Sequence, residues 1–261
     1  MDSFSKPAAF EFSLSWPDGP EASKRTRSAA LDLVKWLAIA AMLLDHLRFV
    51  WPQLSGLFVP GRLAFPLFCL AIAANIRRTR RGEVFSPANY RYATTLLAFA
   101  LVSEIPHRLL IGADSATVNV LPTLLLGLLI AWGVHHRSAG SIVLAVLALV
   151  ASIVLERWIM YGVCGVLLPA ALLMAISRPG PTWALPAALF LLANVSMDML
   201  AAAAAWELYP LILVGTLSGA PWIGLWLLEK EVMFPVPPVG RWGYWFYPIH
   251  MLVLAAAKAV A

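Results

Sequence analysis

The residue in this 261-residue chain best suited to proton chemistry is His46, which lies in an apolar stretch beside Asp45. An imidazole takes up and releases a proton near neutral pH, which acyl transfer requires. On a helix Asp45 points about 100° away from His46, so it is expected to pair with Arg48 or Arg62 instead. A group that orients His46 should therefore come from another helix. The plain alternative is an interfacial histidine hydrogen-bonded to a carbonyl group.

A second set of polar residues lies further along the chain. Glu104 and Arg108 are four residues apart at the end of an apolar stretch, which is also the spacing of an ordinary ion pair on one helix. Asn119 and Thr123 are one helical turn apart and either cap a helix or line a site. His250 is a second histidine within an apolar stretch, so it is a candidate acid, base or acceptor-binding group.

The composition indicates that these residues belong to a membrane protein. Hydrophobic residues make up 61% of the chain and charged residues 13%, and the mean hydropathy is +0.79. In soluble proteins, hydrophobic residues make up about 45–50% of the chain and charged residues about 25%. Soluble enzymes and nucleic-acid binders are therefore excluded as primary interpretations. The net charge of +5 is explained by the Lys and Arg residues that mark cytoplasmic loops.

Nine apolar stretches are long enough to cross a bilayer as helices, and strands could not satisfy their backbone there. The fold is therefore predicted to be an all-α, polytopic transmembrane bundle of about nine helices, with a range of eight to ten. The stretches are 30–51, 61–77, 91–112, 118–135, 139–156, 158–177, 182–200, 206–228 and 242–260. In the pairs 139–156/158–177 and 182–200/206–228 the connections are short, so one member of either pair could be re-entrant or tilted.

The basic residues predict an orientation. Residues 1–27 are polar and are expected to form a flexible cytoplasmic tail before a transmembrane domain at 28–261. The arginine run at 77–81 lies on the same side as that tail, and alternation then makes the C-terminus extracytoplasmic. Cys69 and Cys164 lie in separate apolar stretches, so no disulfide framework or metal site is expected.

Several segments, in this order, resemble the TraX family, multi-pass membrane proteins associated with N-acetylation of conjugative pilin. The segments are 41–46 (AMLLDH), 61–68 (GRLAFPLF), 103–106 (SEIP), 119–128 (NVLPTLLLGL), 161–162 (YG) with Gly165, and 246–250 (FYPIH). The family also looks like a looser relative of membrane acyltransferases that use coenzyme A. The chain departs from the family where an aromatic and an acidic residue usually follow SEIP, because it has His107 and Arg108 there. Pro122 likewise stands where an aromatic residue is usual.

The resemblance implies an inner-membrane acyltransferase that uses acetyl-CoA or another acyl-CoA. The acceptor would be an amine or hydroxyl on an extracytoplasmic protein, such as pilin, or on a glycan. The implied base is His46, with Asp45, Glu104 and His250 as the other catalytic candidates. In this scheme Glu104 holds Arg62 or orients His46. The implied oxyanion and substrate residues are Arg62, Asn119, Thr123 and Arg48.

Coenzyme A is an anion, so its phosphates are expected to meet Lys35, Arg77 and Arg78 at the cytoplasmic mouth of a channel. Topology alone also explains the two arginines. The central expectation is that Asp45, His46, Arg62, Glu104 and Asn119 share one pocket near the extracytoplasmic side.

Two other classes of function remain open. A proton-coupled transporter would use His46, Glu104 and His250 as a relay. A non-catalytic assembly factor would bind another membrane protein through small residues such as the alanine run at 201–205.

Overall fold

The computed structural model describes residues 28–260, and this range contains helices and no strands. The all-α prediction is therefore confirmed, while the tail at 1–27 lies outside the described residues. The α-helices are α1 Ala29–Leu47, α2 Phe58–Gly61, α3 Ala64–Arg77, α4 Pro87–Ile111, α5 Leu121–His136, α6 Ala139–Val154, α7 Gly162–Ser177, α8 Ala184–Leu192, α9 Met197–Ala204, α10 Leu208–Glu229 and α11 Trp242–Val260. Two 3-10 turns, Pro52–Leu57 and Pro181–Trp183, precede α2 and α8.

Serine caps explain where several helices begin. Ser28 accepts a hydrogen bond from the backbone N–H of Leu31 at the start of α1, and Ser86, Ser138 and Ser196 do the same for α4, α6 and α9. Each cap satisfies a backbone donor that the first helical turn leaves free.

The first and last described helices lie side by side and run in the same direction. The rings of Trp36 and Trp242 pack 5.1 Å apart near the start of both helices. Further along, Lys258 donates a hydrogen bond of 2.9 Å to the carbonyl of Leu110 at the end of α4. These contacts define two ends of the bundle, named here the Lys35 end, where α1 begins, and the His46 end, where α1 ends.

Residues 28–260 contain nine helical segments when α2 is counted with α3 and α8 with α9. The prediction of about nine helices is confirmed. Three helical runs, Pro52–Arg77, Pro87–Ile111 and Leu208–Glu229, are long and apolar enough by themselves to cross a membrane. The helices α5, α6 and α7 are apolar but shorter, at 16 residues each.

The stretch predicted as one helix at 182–200 is broken into α8 and α9. The short connection to the next stretch had left open that one member of this pair is re-entrant or tilted. Helices α8 and α9 meet at 112°, and together they would make a fourth span. The break follows from polar residues: Asn194 donates to the carbonyl of Phe190 as α8 ends, and Ser196 caps α9. Side chains that compete for backbone hydrogen bonds favour helix ends over interiors.

Helix α3 lies at the centre of the bundle, where it packs against α1, α5, α7 and α10. Its Cys69 and Leu70 are almost fully buried. Helix α6, by contrast, exposes a row of apolar side chains, including Val143, Leu147 and Val150. An exposed apolar face of this kind suits contact with lipid.

Candidate functional site

Helix α1 carries polar side chains on the face that it turns to the bundle. Asp32 and His46 are buried near opposite ends of the helix. Lys35 donates to Asp32 over 3.3 Å. Polar groups within an apolar bundle need partners inside it, which is why this face is turned away from lipid.

His46 pairs with a histidine from the last helix. Its Nδ1 lies 2.7 Å from Nε2 of His250, and Nδ1 of His250 lies 2.7 Å from the backbone carbonyl of Phe246. A carbonyl only accepts, so Nδ1 of His250 carries hydrogen. In a neutral His250 the Nε2 atom then accepts from Nδ1–H of His46. These partners assign the tautomer of His46 and leave the lone pair on its Nε2.

The group that orients His46 thus comes from another helix, as predicted. The plain alternative, a histidine held by a carbonyl, describes His250 instead. The carbonyl of Phe246 fixes the orientation and tautomer of the His250 ring, and His250 in turn fixes those of the His46 ring.

Asp45 joins both of its predicted partners. Its Oδ1 accepts from Nε of Arg48 at 3.2 Å and from Nη2 of Arg62 at 3.1 Å. Nη1 of Arg62 also approaches the hydroxyl of Tyr161 at 3.4 Å and Oδ1 of Asn194 at 3.5 Å. The Nε of Arg62 is buried and has no hydrogen-bond partner. Arg62 therefore keeps one N–H for a further group.

Close backbone approach explains the glycine before Arg62. A Cβ atom on Gly61 would lie 2.5 Å from the Cβ of Asp45, so only glycine lets α2 pack against α1 here. On the other side of Arg62, Tyr161 has a positive φ of 65°, which is strained for a residue with a side chain. Sequence reasoning gave Tyr161 and Asn194 no role, and no short motif connects them to Arg62.

Glu104 belongs to a second cluster. Its Oε1 accepts from Arg108 at 2.7 Å, and its Oε2 accepts from the backbone N–H of Asn119 at 3.0 Å and from Nδ2 at 2.8 Å. The prediction that Glu104 holds Arg62 or orients His46 is wrong. The ordinary ion pair with Arg108, which its spacing allowed, is the one formed.

Asn119 and Thr123 make structural contacts. Nδ2 of Asn119 donates to the carbonyl of Ala100 as well as to Glu104, and its Oδ1 accepts from Leu121 at the start of α5. Both amide hydrogens are used, so neither is free for the oxyanion that Asn119 was expected to stabilise. Thr123 donates to the carbonyl of Met160 over 3.0 Å and ties α5 to the loop before α7.

Two further polar residues on α4 are completely enclosed. Ser103 and His107 are four residues apart and 0% exposed; the Ser103 hydroxyl has no hydrogen-bond partner, whereas the backbone of Thr117 approaches the ring of His107. Sequence reasoning assigned neither residue a role. Their spacing places both on one face of the helix, which is the signal that could have revealed them.

A cavity of about 380 Å³ lies between α1, α3, α4, α5 and α11. Lys35, Asn75 and Arg241 line it toward the Lys35 end, and Met42 and Tyr247 line its other part. The ring of Tyr247 lies 6.4 Å from that of His46 and 5.8 Å from that of His250. The cavity therefore runs from basic residues to within one side chain of the histidine pair, and small-molecule sites have this size and this apolar wall.

The basic residues expected to meet coenzyme A differ in their relation to this cavity. Lys35 lines it. Arg77 and Arg78 are exposed where α3 ends and do not line it, whereas Arg241 does. Within residues 28–260 there is no group of three His, Cys, Asp or Glu residues that could hold a metal ion.

The expected single pocket is thus found in part. Asp45, His46 and Arg62 are neighbours near the end of α1, and His250 completes this group. Glu104 and Asn119 bond to each other at the junction of α4 and α5.

Comparison with known proteins gives one family. Searches of curated proteins and of solved structures gave no match. The family model described as "TraX protein" matches residues 30–258, which is most of the chain and includes both histidines of the pair. The chain therefore belongs to the TraX family.

Proposed function

We propose that this protein is an integral membrane acyltransferase that moves an acetyl or other acyl group from acyl-CoA to an extracytoplasmic acceptor. The observation that carries the proposal is the cavity with basic residues toward one end and the oriented histidine pair beyond the other. Membership of the family agrees with this activity, and a pilin amine is one acceptor that the resemblance suggests.

Acyl-CoA fits the cavity by its chemistry. Lys35 and Arg241 would meet the phosphates of the nucleotide, which carry negative charge. The apolar wall would take the pantetheine arm and carry the thioester toward Tyr247. The protein would lie in the inner membrane of a bacterial cell. Because coenzyme A is cytoplasmic, the Lys35 end would face the cytoplasm, and the N-terminus would lie on the same side.

His46 would act as the general base. Its Nε2 takes the proton from the acceptor while the acceptor attacks the thioester carbonyl, and the proton then passes to the leaving thiolate of coenzyme A. The bond from acceptor to acyl carbon forms, the carbon–sulfur bond breaks, and no redox partner is needed. A positioned base of this kind accelerates a reaction by about 10²–10⁴-fold.

Arg62 would stabilise the oxyanion that forms at the carbonyl. Its buried Nε–H is free for that bond, whereas its Nη2 is held by Asp45. A preorganised donor in such a place contributes about 2.7–4 kcal/mol to lowering the barrier. Arg48, on the same carboxylate, adds positive charge at this end.

A proton-coupled carrier is less well supported. The hydrogen-bonded path from His46 ends at the carbonyl of Phe246, which can accept a hydrogen bond but cannot pass a proton on. Glu104, the third member of the relay considered, is bonded to Arg108 and Asn119. The argument for an assembly factor is the alanine run at 201–205. Such a role would leave the histidine pair without a purpose.

The test is transfer of labelled acetyl from acetyl-CoA by the purified full-length protein in lipid vesicles. We expect acetyl-CoA to raise the unfolding temperature and His46→Gln to abolish transfer while keeping that rise. His135→Gln is the matched control, because His135 is also buried but lies at the Lys35 end of α5. Full transfer by the His46 variant would overturn the proposal, and proton flux without transfer would favour the carrier.

A further inference from the structure

The loop at 78–86, which joins α3 to α4 at the Lys35 end, carries a concentration of positive charge. Together with the adjoining starts and ends of helices it presents a set of exposed arginines, named here the arginine surface: Arg78, Arg80, Arg81, Arg91 and Arg137. None of them forms an ion pair with a carboxylate of residues 28–260. The loop itself holds one carboxylate, Glu83. The positive charge is therefore left for a group outside this part of the protein.

Buried polar side chains fasten the loop to the bundle. Nδ2 of Asn89 on α4 donates to the carbonyl of Val84 at 3.0 Å and lies 3.3 Å from Nε2 of His136 at the end of α5. The backbone of Arg80 approaches the ring of His136. Asn89 and His136 are each only 4% exposed. Because Arg137 directly follows His136, these contacts place it and the arginines of the loop on one surface.

Membrane orientation alone does not explain why the loop is fixed. Orientation depends on the number of Lys and Arg residues near the ends of the helices, and a loop without a defined course supplies them equally well. Fixing a loop costs conformational entropy, which its contacts must offset. The turn also requires a glycine, because Gly82 has a φ of 88°. The fold thus determines how the arginines are arranged as well as how many there are.

Apolar side chains suited to lipid border the arginine surface. Phe85 and Tyr90 are 77% and 71% exposed, and aromatic residues beside a membrane helix lie at the level of the lipid headgroups. The ring of Phe85 covers Gly140 on α6, where an added Cβ would lie 2.6 Å from it. A shallow cavity of about 630 Å³ lies between the loop and this part of α6. Just beyond it, Ile142 and Val143 begin the exposed apolar face of α6.

We propose that the arginine surface binds the phosphate groups of anionic phospholipids in the leaflet at the Lys35 end. Guanidinium groups recognise phosphate through paired N–H donors, and clusters of basic residues beside membrane helices attract anionic headgroups. The acyl chains of the lipid lie against the apolar face of α6, a contact that a free phosphate compound cannot make. This binding is independent of the proposed acyl transfer.

Binding of defined lipids to the purified full-length protein in a neutral detergent is the test. Phosphatidylglycerol and phosphatidylcholine are added separately, and bound lipid is counted by native mass spectrometry. We expect the anionic lipid to bind at least about tenfold more tightly, since several basic residues each favour it, and to bind more weakly as the salt concentration rises. Equal affinity for the two lipids would overturn the proposal. Displacement of phosphatidylglycerol by an equal concentration of inorganic phosphate or coenzyme A would also overturn it, because the surface would then take a soluble phosphate.

Removing single charges tests the arginines. Arg80→Gln and Arg81→Gln should each weaken the binding of phosphatidylglycerol about fivefold, the contribution of one basic residue beside an anionic surface. Arg157→Gln is the matched control, because Arg157 is also exposed but lies at the His46 end, before α7. It should leave the affinity unchanged. A loss as large in Arg157→Gln as in the other two variants would contradict a local site.

Two further variants alter the loop and keep every arginine. Asn89→Ala removes the hydrogen bond to Val84, and we expect the affinity for phosphatidylglycerol to fall about as far as in Arg81→Gln. Gly82→Ala strains the turn without a clash, because nothing lies within 4 Å of the added Cβ, and it should have the same effect. Unchanged affinity in both variants would mean that net charge alone attracts the lipid, which would overturn the assignment of a built site.

Discussion

The ring nitrogens Nδ1 of His46 and Nε2 of His250 lie 2.7 Å apart, although the two residues are 204 positions apart in the chain. The distance is that of a hydrogen bond, and the carbonyl of Phe246 fixes which nitrogen donates. His250 therefore sets the tautomer of His46, and in the proposed reaction it would act as a positioning residue that shares the positive charge formed when His46 takes a proton.

Replacing His250 should reduce turnover without weakening donor binding. His250→Ala removes the acceptor for Nδ1–H of His46, so the proton redistributes between the two ring nitrogens. We expect kcat for acetyl transfer to fall by about 10–100-fold, as for other partners that orient a functional histidine, with an unchanged KM for acetyl-CoA. Nitrogen chemical shifts of labelled histidine should show the altered tautomer of His46. A variant with full kcat would contradict the positioning role.

Asp45 should matter for stability, because it neutralises two guanidinium groups. Asp45→Asn leaves Arg48 and Arg62 without their carboxylate, and we expect a loss of about 1.5–3 kcal/mol in the free energy of unfolding. Arg48→Gln should cost less, since Arg48 is the more exposed partner. Unfolding of the variants in detergent micelles measures both, and equal stability of wild type and Asp45→Asn would show that the ion pair contributes nothing.

Gly61 should not tolerate a side chain. In Gly61→Ala the new methyl group meets Asp45 at 2.5 Å, so α2 must move away from α1 and lengthen the contact between Arg62 and Asp45. We expect lower stability and slower transfer together. Gly215→Ala on α10 is the control, because nothing lies within 4 Å of its added Cβ and alanine favours a helix by up to about 1 kcal/mol.

Asn119 should act on the fold rather than on the chemistry. Asn119→Ala removes bonds to Ala100, Glu104 and the start of α5, and we expect a loss of about 1–3 kcal/mol in stability. The kcat per folded molecule should stay near the wild-type value. A variant of normal stability that has lost kcat would restore Asn119 as a catalytic residue.

The basic residues of the cavity should recognise the nucleotide part of the donor. Lys35→Met and Arg241→Met each remove a positive charge, and we expect the KM for acetyl-CoA to rise about tenfold, equivalent to about 1.4 kcal/mol. The KM for S-acetylpantetheine, which lacks the nucleotide, should not change. Arg77→Met is the control, because Arg77 lies outside the cavity wall. An equal effect on both donors would contradict the assignment.

The sequence predicted the features that depend on local geometry. Apolar length located the helices, and the 100° between successive residues showed that Asp45 could not orient its neighbour. Both consequences are observed: Asp45 joins Arg48 and Arg62, and His46 finds its partner on another helix.

The features that depend on how helices are placed against one another could not be predicted. Glu104 bonds to Asn119 because of the relative position of α4 and α5 along their axes, and no spacing along the chain determines that position. Arg241 joins Lys35 at the cavity because the loop before α11 lies against α1, whereas Arg77 and Arg78 follow α3 away from it. The break between α8 and α9 depends on two polar residues in an otherwise apolar stretch.

The neighbouring positions of α1 and α11 have a consequence for biosynthesis. A nascent chain inserts α1 early, yet that helix cannot receive its imidazole partner until α11 has left the ribosome. A product truncated before residue 241 also lacks Arg241, Tyr244 and Tyr247, which close one side of the cavity. If the proposed function is right, premature termination or proteolytic loss of the final helix would therefore yield an inert protein rather than one that hydrolyses thioesters.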